Sequence, residues 1–192
     1  MVITKMPDNW IFRLDIPNPD DSEIVEKSWS INIADEIAYV GQNYSFPSPL
    51  NVEARGNWSK PAFYVEIAVE SKIEVPCRRC LDPAMVAING NFSYLYSLSP
   101  AEGSSERSYG HGDDSYVCIK SWGKYLDIAS QVWDALILSL PNDVLCKDDC
   151  RGLCPVCGTN LNRGSCNCSR NETDPRMEVL KDIEDVKDDT VE

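Results

Sequence analysis

Eight of the nine cysteines in this 192-residue chain fall into close pairs. They are Cys77/Cys80 in CRRC, Cys146/Cys150, Cys154/Cys157 in CPVCG, and Cys166/Cys168. A Cys-x-x-Cys turn aims two thiolates at one soft cation, and a second pair completes a tetrahedron. Four pairs therefore supply two four-cysteine sites, and the expected cofactors are two structural Zn2+ ions. Gly158 after the CPVC turn lets the chain reverse sharply while backbone N–H groups approach sulfur. Closed four-sulfur shells fold a protein and do not activate water. An iron–sulfur cluster or a thiol-redox dithiol is the weaker alternative, because no βαβ pattern surrounds any pair. Cys118 is left over and reads as a small buried hydrophobe.

Spacing alone does not say which pairs share a metal. Four pairs couple two by two in three ways. One coupling joins Cys77/Cys80 to Cys146/Cys150 and leaves Cys154, Cys157, Cys166 and Cys168 as a self-contained knuckle of 15 residues. A rival joins Cys77/Cys80 to Cys154/Cys157 in the manner of a zinc ribbon.

No other constellation carries chemistry. The chain has one histidine, His111, in the polar, Gly-rich stretch 99–115, which reads as a mobile loop. There is no phosphate-binding glycine loop and no nucleophile–base pair, so no catalytic residue is assigned and the chain reads as a non-enzyme.

The elements that must hold the cysteines follow from periodicity. Residues 1–49 mix short apolar runs with Pro, Asn and Asp breaks and read as short strands and turns. Residues 50–58 alternate, with Leu50, Val52, Ala54 and Trp58 on one face. Residues 62–75 alternate again through Val65, Ile67, Val69, Ile73 and Val75 and run into CRRC. A third run places Val86, Ile88, Phe92, Tyr94 and Tyr96 on one face. The fold class is α+β: an antiparallel β-sheet, a meander that could close into a barrel-like form, packed by one amphipathic helix, with a C-terminal cysteine-rich zinc knuckle. The helix is expected over residues 126–140, with Asp127 as N-cap and Pro141 as its stop. Its stripe of Ile128, Ala129, Val132, Trp133, Leu136, Ile137 and Leu140 would pack across the sheet and deliver Cys146. Asp174-Pro175 opens a short helix through Met177, Leu180 and Ile183. The domain expectation is 1–145 for the β-rich part with the core helix, 146–176 for the zinc-binding segment, and 177–192 for a short helix and acidic tail.

The formal net charge is −13. That excludes a chain that coats nucleic acid everywhere, but not a local basic patch. Arg78, Arg79, Lys147, Arg151, Arg163, Arg170 and Arg176 would gather on the zinc lobe against Asp148, Asp149, Glu172 and Asp174, a net +3. Those cations, Arg176 excepted, are the candidate nucleic-acid-binding residues. No run of 18 apolar residues and no signal peptide is visible, so the expected compartment is reducing, with the cytoplasm as default.

CRRCLDP after an alternating strand, a helix ending in LSLP, then DDCRGLCPVCGTNLNRGSCNC and DPRMEVL together resemble the YceD family of bacterial proteins, over residues 50–183. Members are called large ribosomal RNA subunit accumulation proteins. The resemblance implies a non-enzymatic role in assembling the large ribosomal subunit and accumulating its large rRNA. The implied partners are the large-subunit precursor, its rRNA, or a basic ribosomal protein held by a chaperone-like adaptor; no membrane or small-molecule substrate is implied. Shorter members keep the equivalents of Cys77/Cys80 and a pair near Cys146/Cys150 and lack GLCPVCG. That pattern favours the first coupling and makes the 154–168 knuckle an addition.

Overall fold

A computed structural model describes residues 2–20, 23–98, 108–109 and 115–168. The N-terminal part forms β1 (Val2–Ile3), β2 (Arg13–Asp15), β3 (Val25–Ile31), β4 (Glu36–Tyr39) and β5 (Gln42–Tyr44). The long strands β6 (Leu50–Ser59), β7 (Ala62–Pro76) and β8 (Pro83–Leu98) follow, then β9 (Ser108–Tyr109), β10 (Ser115–Ile119), β11 (Tyr125–Asp127) and the helix α1 (Ala129–Ser139).

Period-2 alternation makes β6, β7 and β8 a meander with one dry face. Val52 and Ala54 pair in register with Val69 and Ile67 of β7, and Val65, Ile67, Val69 and Ile73 are completely buried. Each such aliphatic side chain contributes about 1.5–3 kcal/mol by leaving water. The sheet order is β3-β6-β7-β8-β10-β9, and β10 runs parallel to β8. Among the described residues this sheet is open. Of the two forms expected it is the meander and not the barrel-like one: β3 and β9 lie at opposite edges and do not pair. β1, β4 and β5 form a three-stranded sheet, and β2 pairs with β11.

The helix starts later than expected. Leu126 and Asp127 belong to β11, where Leu126 lies opposite Leu14, and Ile128 donates its N–H to the Phe12 carbonyl at 2.9 Å. Asp127 still helps, since its Oδ1 accepts the Ala129 N–H at 3.0 Å. Leu140 is extended, as a residue before proline must be. The apolar stripe of α1 lies across β7 and β8, with Ile128, Val132 and Leu136 completely buried. Tyr94 donates its hydroxyl to the Gln131 carbonyl at 3.3 Å. The gap in the β8 alternation falls at Gly90, where a Cβ would collide with the Ser139 side chain.

After Pro141 the chain is held to β5 and then to the β7–β8 turn. Tyr44 donates its hydroxyl to the Pro141 carbonyl at 2.8 Å, and the Gln42 side chain donates to the Asn142 carbonyl at 2.9 Å. The Arg78 N–H then reaches the Val144 carbonyl at 2.9 Å. These bonds set Cys146 beside Cys80. Cys118, read from sequence as a small buried hydrophobe, lies half-buried on β10.

The expectations for His111, for the rest of the 99–115 stretch other than Ser108, Tyr109 and Ser115, and for the helix and tail after Asp174 lie outside the described residues.

The β4–β5 hairpin turns through Val40 and Gly41, both at positive φ (49° and 75°). Two positive-φ residues in a two-residue loop favour Asn-Gly, and a β-branched Val is strained there. Val40 is also exposed. Replacing Val40→Asn is expected to raise stability by about 1 kcal/mol, read as a higher urea midpoint with unchanged slope. A lower midpoint would show that Val40 makes a compensating contact.

Candidate metal centre

Two turns of the same construction carry the Cys-x-x-Cys pairs. In the β7–β8 turn, Cys77 donates its N–H to the Asp82 carbonyl at 2.8 Å, and Leu81 donates to the Cys77 carbonyl at 2.9 Å. In the later turn, Cys154 donates to the Thr159 carbonyl at 2.8 Å, and Gly158 donates to the Cys154 carbonyl at 2.8 Å. The residue after the second cysteine has positive φ in both, 62° at Leu81 and 73° at Gly158. This tight reversal points both sulfurs of a turn to one side.

The second pairs complete two clusters. Cys77, Cys80, Cys146 and Cys150 form an inner cluster, and Cys154, Cys157, Cys166 and Cys168 an outer one. Within each, all four sulfurs lie within 4.8 Å of one another. This is the coupling that joins the sheet to the segment after α1; the zinc-ribbon grouping of Cys77/Cys80 with Cys154/Cys157 does not occur. In the inner cluster Cys77 and Cys150 Sγ are 3.7 Å apart, and Cys80 and Cys146 Sγ are 3.5 Å apart. Four thiolates around zinc at about 2.3 Å would stand about 3.8 Å from one another, so the sulfur spacing fits a tetrahedral shell. Cys77 is wholly buried and Cys80 and Cys150 nearly so, whereas Cys157 is exposed.

The thiols within each cluster are driven apart in acidity. Burial pushes Cys77 up, but N–H groups of Cys80, Cys146 and Arg79 outweigh it and bring the thiol down to about 6. The Asn162 amide lowers Cys150. Cys80 is pushed up to about 12, first by burial and then by its sulfur neighbours. In the outer cluster the Thr159 hydroxyl, 3.1 Å from Cys157, leads the drop of that thiol to about 6. Cys157 in turn is the main cause holding Cys168 at about 12. Two anions per cluster are favoured and two are resisted, because thiolates in van der Waals contact repel. A divalent cation removes that conflict and is taken up with release of the remaining protons.

The outer cluster draws its four sulfurs from 154–168 alone, as expected, but the segment does not stand apart. It is docked on the turn that carries the inner one. Leu153 donates its N–H to the Arg79 carbonyl at 3.1 Å, and Gly152 packs so closely on Arg79 that a Cβ would stand 3.1 Å from that oxygen. Asp82 accepts from the Asn160 amide at 2.9 Å and from the Arg163 guanidinium at 2.8 Å. Asn162 bonds the Arg151 N–H and the Cys150 sulfur. Sequence reasoning missed Asp82, Asn160 and Asn162. The only local signal was three short polar side chains of the bonding-to-backbone type, placed beside cysteine turns.

The basic residues are more heavily paired than their spacing suggested. Arg78 lies 3.5 Å from Asp143 and Lys147 3.5 Å from Asp149, while Arg163 is bound to Asp82. The Arg79 guanidinium donates to the Cys150 carbonyl at 3.1 Å. Arg151 is exposed and forms no ion pair with a described residue. Asp82 and Asp143 therefore dilute the lobe's positive charge. Arg170 and Arg176 lie outside the described residues.

Asp82→Ala removes both side-chain grips on the Asn160–Arg163 segment. The expected result is local loosening of about 1 kcal/mol, seen as faster amide exchange at Leu153, Cys154 and Leu161 with unchanged exchange in β7 and β8. Unchanged protection at those three amides would show that Asp82 does not hold the outer cluster.

Comparison with known proteins gives a consistent picture. The family described as "Large ribosomal RNA subunit accumulation protein YceD" matches residues 65–184, which include all eight paired cysteines. A chloroplastic YCED homolog 1 of Arabidopsis thaliana is 26% identical over 153 residues, covering 69% of this chain and 48% of that protein. The Zea mays protein of the same description is 31% identical over 122 residues, covering 52% and 42%. An uncharacterised Mycobacterium leprae protein is 29% identical over 118 residues, covering 59% and 50%. The chain thus spans about half the length of the curated relatives it matches, and these are bacterial and plastid proteins rather than bacterial alone. No solved structure matches. With more than half its length matched, and both cysteine clusters inside the match, the chain belongs to the YceD family of large ribosomal RNA subunit accumulation proteins.

Proposed function

We propose that this protein is a non-enzymatic factor for accumulation of the large ribosomal RNA, and that its two clusters each hold a structural Zn2+. Family membership and two clusters of four sulfurs, each with its sulfurs within 4.8 Å of one another, carry the reading. With four protein ligands each, the clusters have no open position for substrate or water. The zinc ions would be held by Cys77, Cys80, Cys146 and Cys150, and by Cys154, Cys157, Cys166 and Cys168. They supply Lewis-acid neutralisation of crowded thiolates and nothing else. Free thiols of this density need a reducing compartment, and the cytoplasm is the one we assign. Among the described residues no helix is long and apolar enough to cross a membrane.

Two ways of meeting the ribosomal precursor follow from this reading. In one, the zinc lobe contacts rRNA through Arg78 and Arg151, with Lys147 and Arg163 beside them. In the other, the outward face of the sheet, with Glu53, Glu66, Glu70 and Glu74, holds a basic ribosomal protein as a chaperone-like adaptor would. The ion pairs of Arg78, Lys147 and Arg163 favour the second over what the charge count alone supports.

Elemental analysis of the purified chain is expected to find two zinc ions, with loss of inner-site metal in Cys77→Ser. A metal-free chain with reactive thiols would reject the zinc reading. In cells depleted of the protein, the ratio of large to small rRNA is expected to fall and to be restored by wild type but not by Cys77→Ser/Cys150→Ser. Restoration by that variant would separate the function from the inner cluster.

The contact face is decided by charge reversal. Arg78→Glu/Arg151→Glu breaks only the exposed Arg78–Asp143 ion pair, unlike a change at Arg79, whose guanidinium holds the Cys150 carbonyl. If rRNA is touched, this pair weakens salt-dependent binding of large-rRNA fragments, and each lost phosphate contact lowers the salt slope by about 1. If the sheet face is used, Glu66→Lys/Glu70→Lys abolishes rRNA accumulation in cells and the arginine pair does not.

A further inference from the structure

Asn162 lies in the chain between Cys157 and Cys166, inside the outer cluster's loop, yet its side chain serves the inner cluster. Its Nδ2 donates to Cys150 Sγ at 3.3 Å, and its Oδ1 accepts the Arg151 N–H at 2.8 Å. Its own N–H is fixed by the Asn160 side chain at 3.0 Å, and Asn160 is in turn held by Asp82 at 2.9 Å. The traffic runs the other way too. The outer loop is built on the inner turn through the Leu153 to Arg79 bond and the close seat of Gly152.

We propose that the two clusters take up and release a thiophilic divalent cation as a coupled pair, and that Asn162 is the positioning residue that carries the outer cluster's occupancy to Cys150. The proposal rests on the zinc reading above. While the outer four sulfurs hold a metal, the 154–168 loop is closed and the amide stays on Cys150. An N–H donated to a ligand sulfur stabilises the metal-bound thiolate, and outer-shell partners of this kind change metal affinity by about 10–100-fold. When the outer metal leaves, the loop is released, the amide withdraws, and the buried inner sulfurs lose both a donor and a cover. Linkage makes the effect mutual: the inner metal fixes the Arg79–Asp82 turn and so raises the outer cluster's affinity by the same factor. The order of exchange follows from burial. Cys157 is exposed, whereas Cys77, Cys80 and Cys150 are covered.

The test uses the full zinc-loaded chain and a chromogenic chelator, after zinc has been counted. Wild type is expected to release zinc in a fast and a slow phase. In Cys154→Ser/Cys157→Ser the remaining zinc should leave about tenfold faster than the wild-type slow phase. Asn162→Ala should keep two zincs, accelerate the slow phase similarly, and shift the sulfur-to-metal absorption bands of the cobalt-substituted protein. Combined with Cys154→Ser/Cys157→Ser it should add nothing further, because both remove the same contact. A slow phase unchanged by either variant, or effects that multiply, would overturn the coupling while leaving two structural zincs in place. A chain that carries no metal would overturn both readings.

Discussion

Both cysteine clusters depend on one long-range closure: the β7–β8 turn meeting the segment after α1. The Arg78 N–H on the Val144 carbonyl is its backbone core, and the sulfur contacts of Cys77 with Cys150 and Cys80 with Cys146 surround it. The joined residues are 66 and 73 apart in sequence. Cross-linking a loop of that length restricts the unfolded chain by about 4 kcal/mol in the loop-entropy account. A metal at the inner cluster would act as such a cross-link. The sheet and helix bring the sulfurs to the right place without it, since the strand pairing, the Tyr44 to Pro141 bond and the Gln42 to Asn142 bond already fix both arms.

What could be read from sequence was local and periodic. Leu50–Val52–Ala54 and Val65–Ile67–Val69 announce a half-buried meander because side chains alternate across a strand. Pro141 ends α1 because proline forces Leu140 to be extended. The grouping of the cysteines was legible in kind, with the pairing left open among three couplings until family resemblance tipped it. What escaped was non-local. Leu126 and Asp127 look helical in isolation, but pairing with Leu14 and Arg13 draws them into β11. β10 runs parallel to β8, a crossover that alternation in Tyr116–Ile119 does not reveal. The charge count of the cysteine lobe left out two acidic partners for the same reason. Asp82 and Asp143 are distant in sequence from Arg163 and Arg78, respectively, and become their partners only after folding.

The two faces of the molecule follow from this division. The inner face of the sheet is filled by α1 and the N-terminal strands. Its outer face carries Glu53, Glu66, Glu70 and Glu74 with only Arg55 and Lys72 among them, and Arg55 is paired with Glu26 at 2.7 Å, so the face keeps an acidic excess on a chain of net charge −13. The cysteine lobe projects from the far end of the β7–β8 hairpin, and its arginines spend much of their charge internally. Separating a packed scaffold from an appended, internally satisfied lobe lets the lobe be ordered by few residues. A knuckle as short as 154–168 cannot bury enough apolar surface to fold on its own hydrophobic effect.

That limit explains why two turns with the same hydrogen bonds differ at one position. Leu81 and Gly158 both follow the second cysteine and both have positive φ. For a leucine this backbone state costs about 1–2 kcal/mol, and for glycine nothing. The inner turn tolerates the strain because it terminates a fifteen-residue strand, is bonded to Val144, and sits over a buried cluster. The outer turn has no strands behind it. Its support comes from the Arg79–Asp82 turn and from whatever its four sulfurs hold, so it cannot carry a strained residue as well. The inner turn is thus framed by the fold, and the outer one by its dependence on the inner.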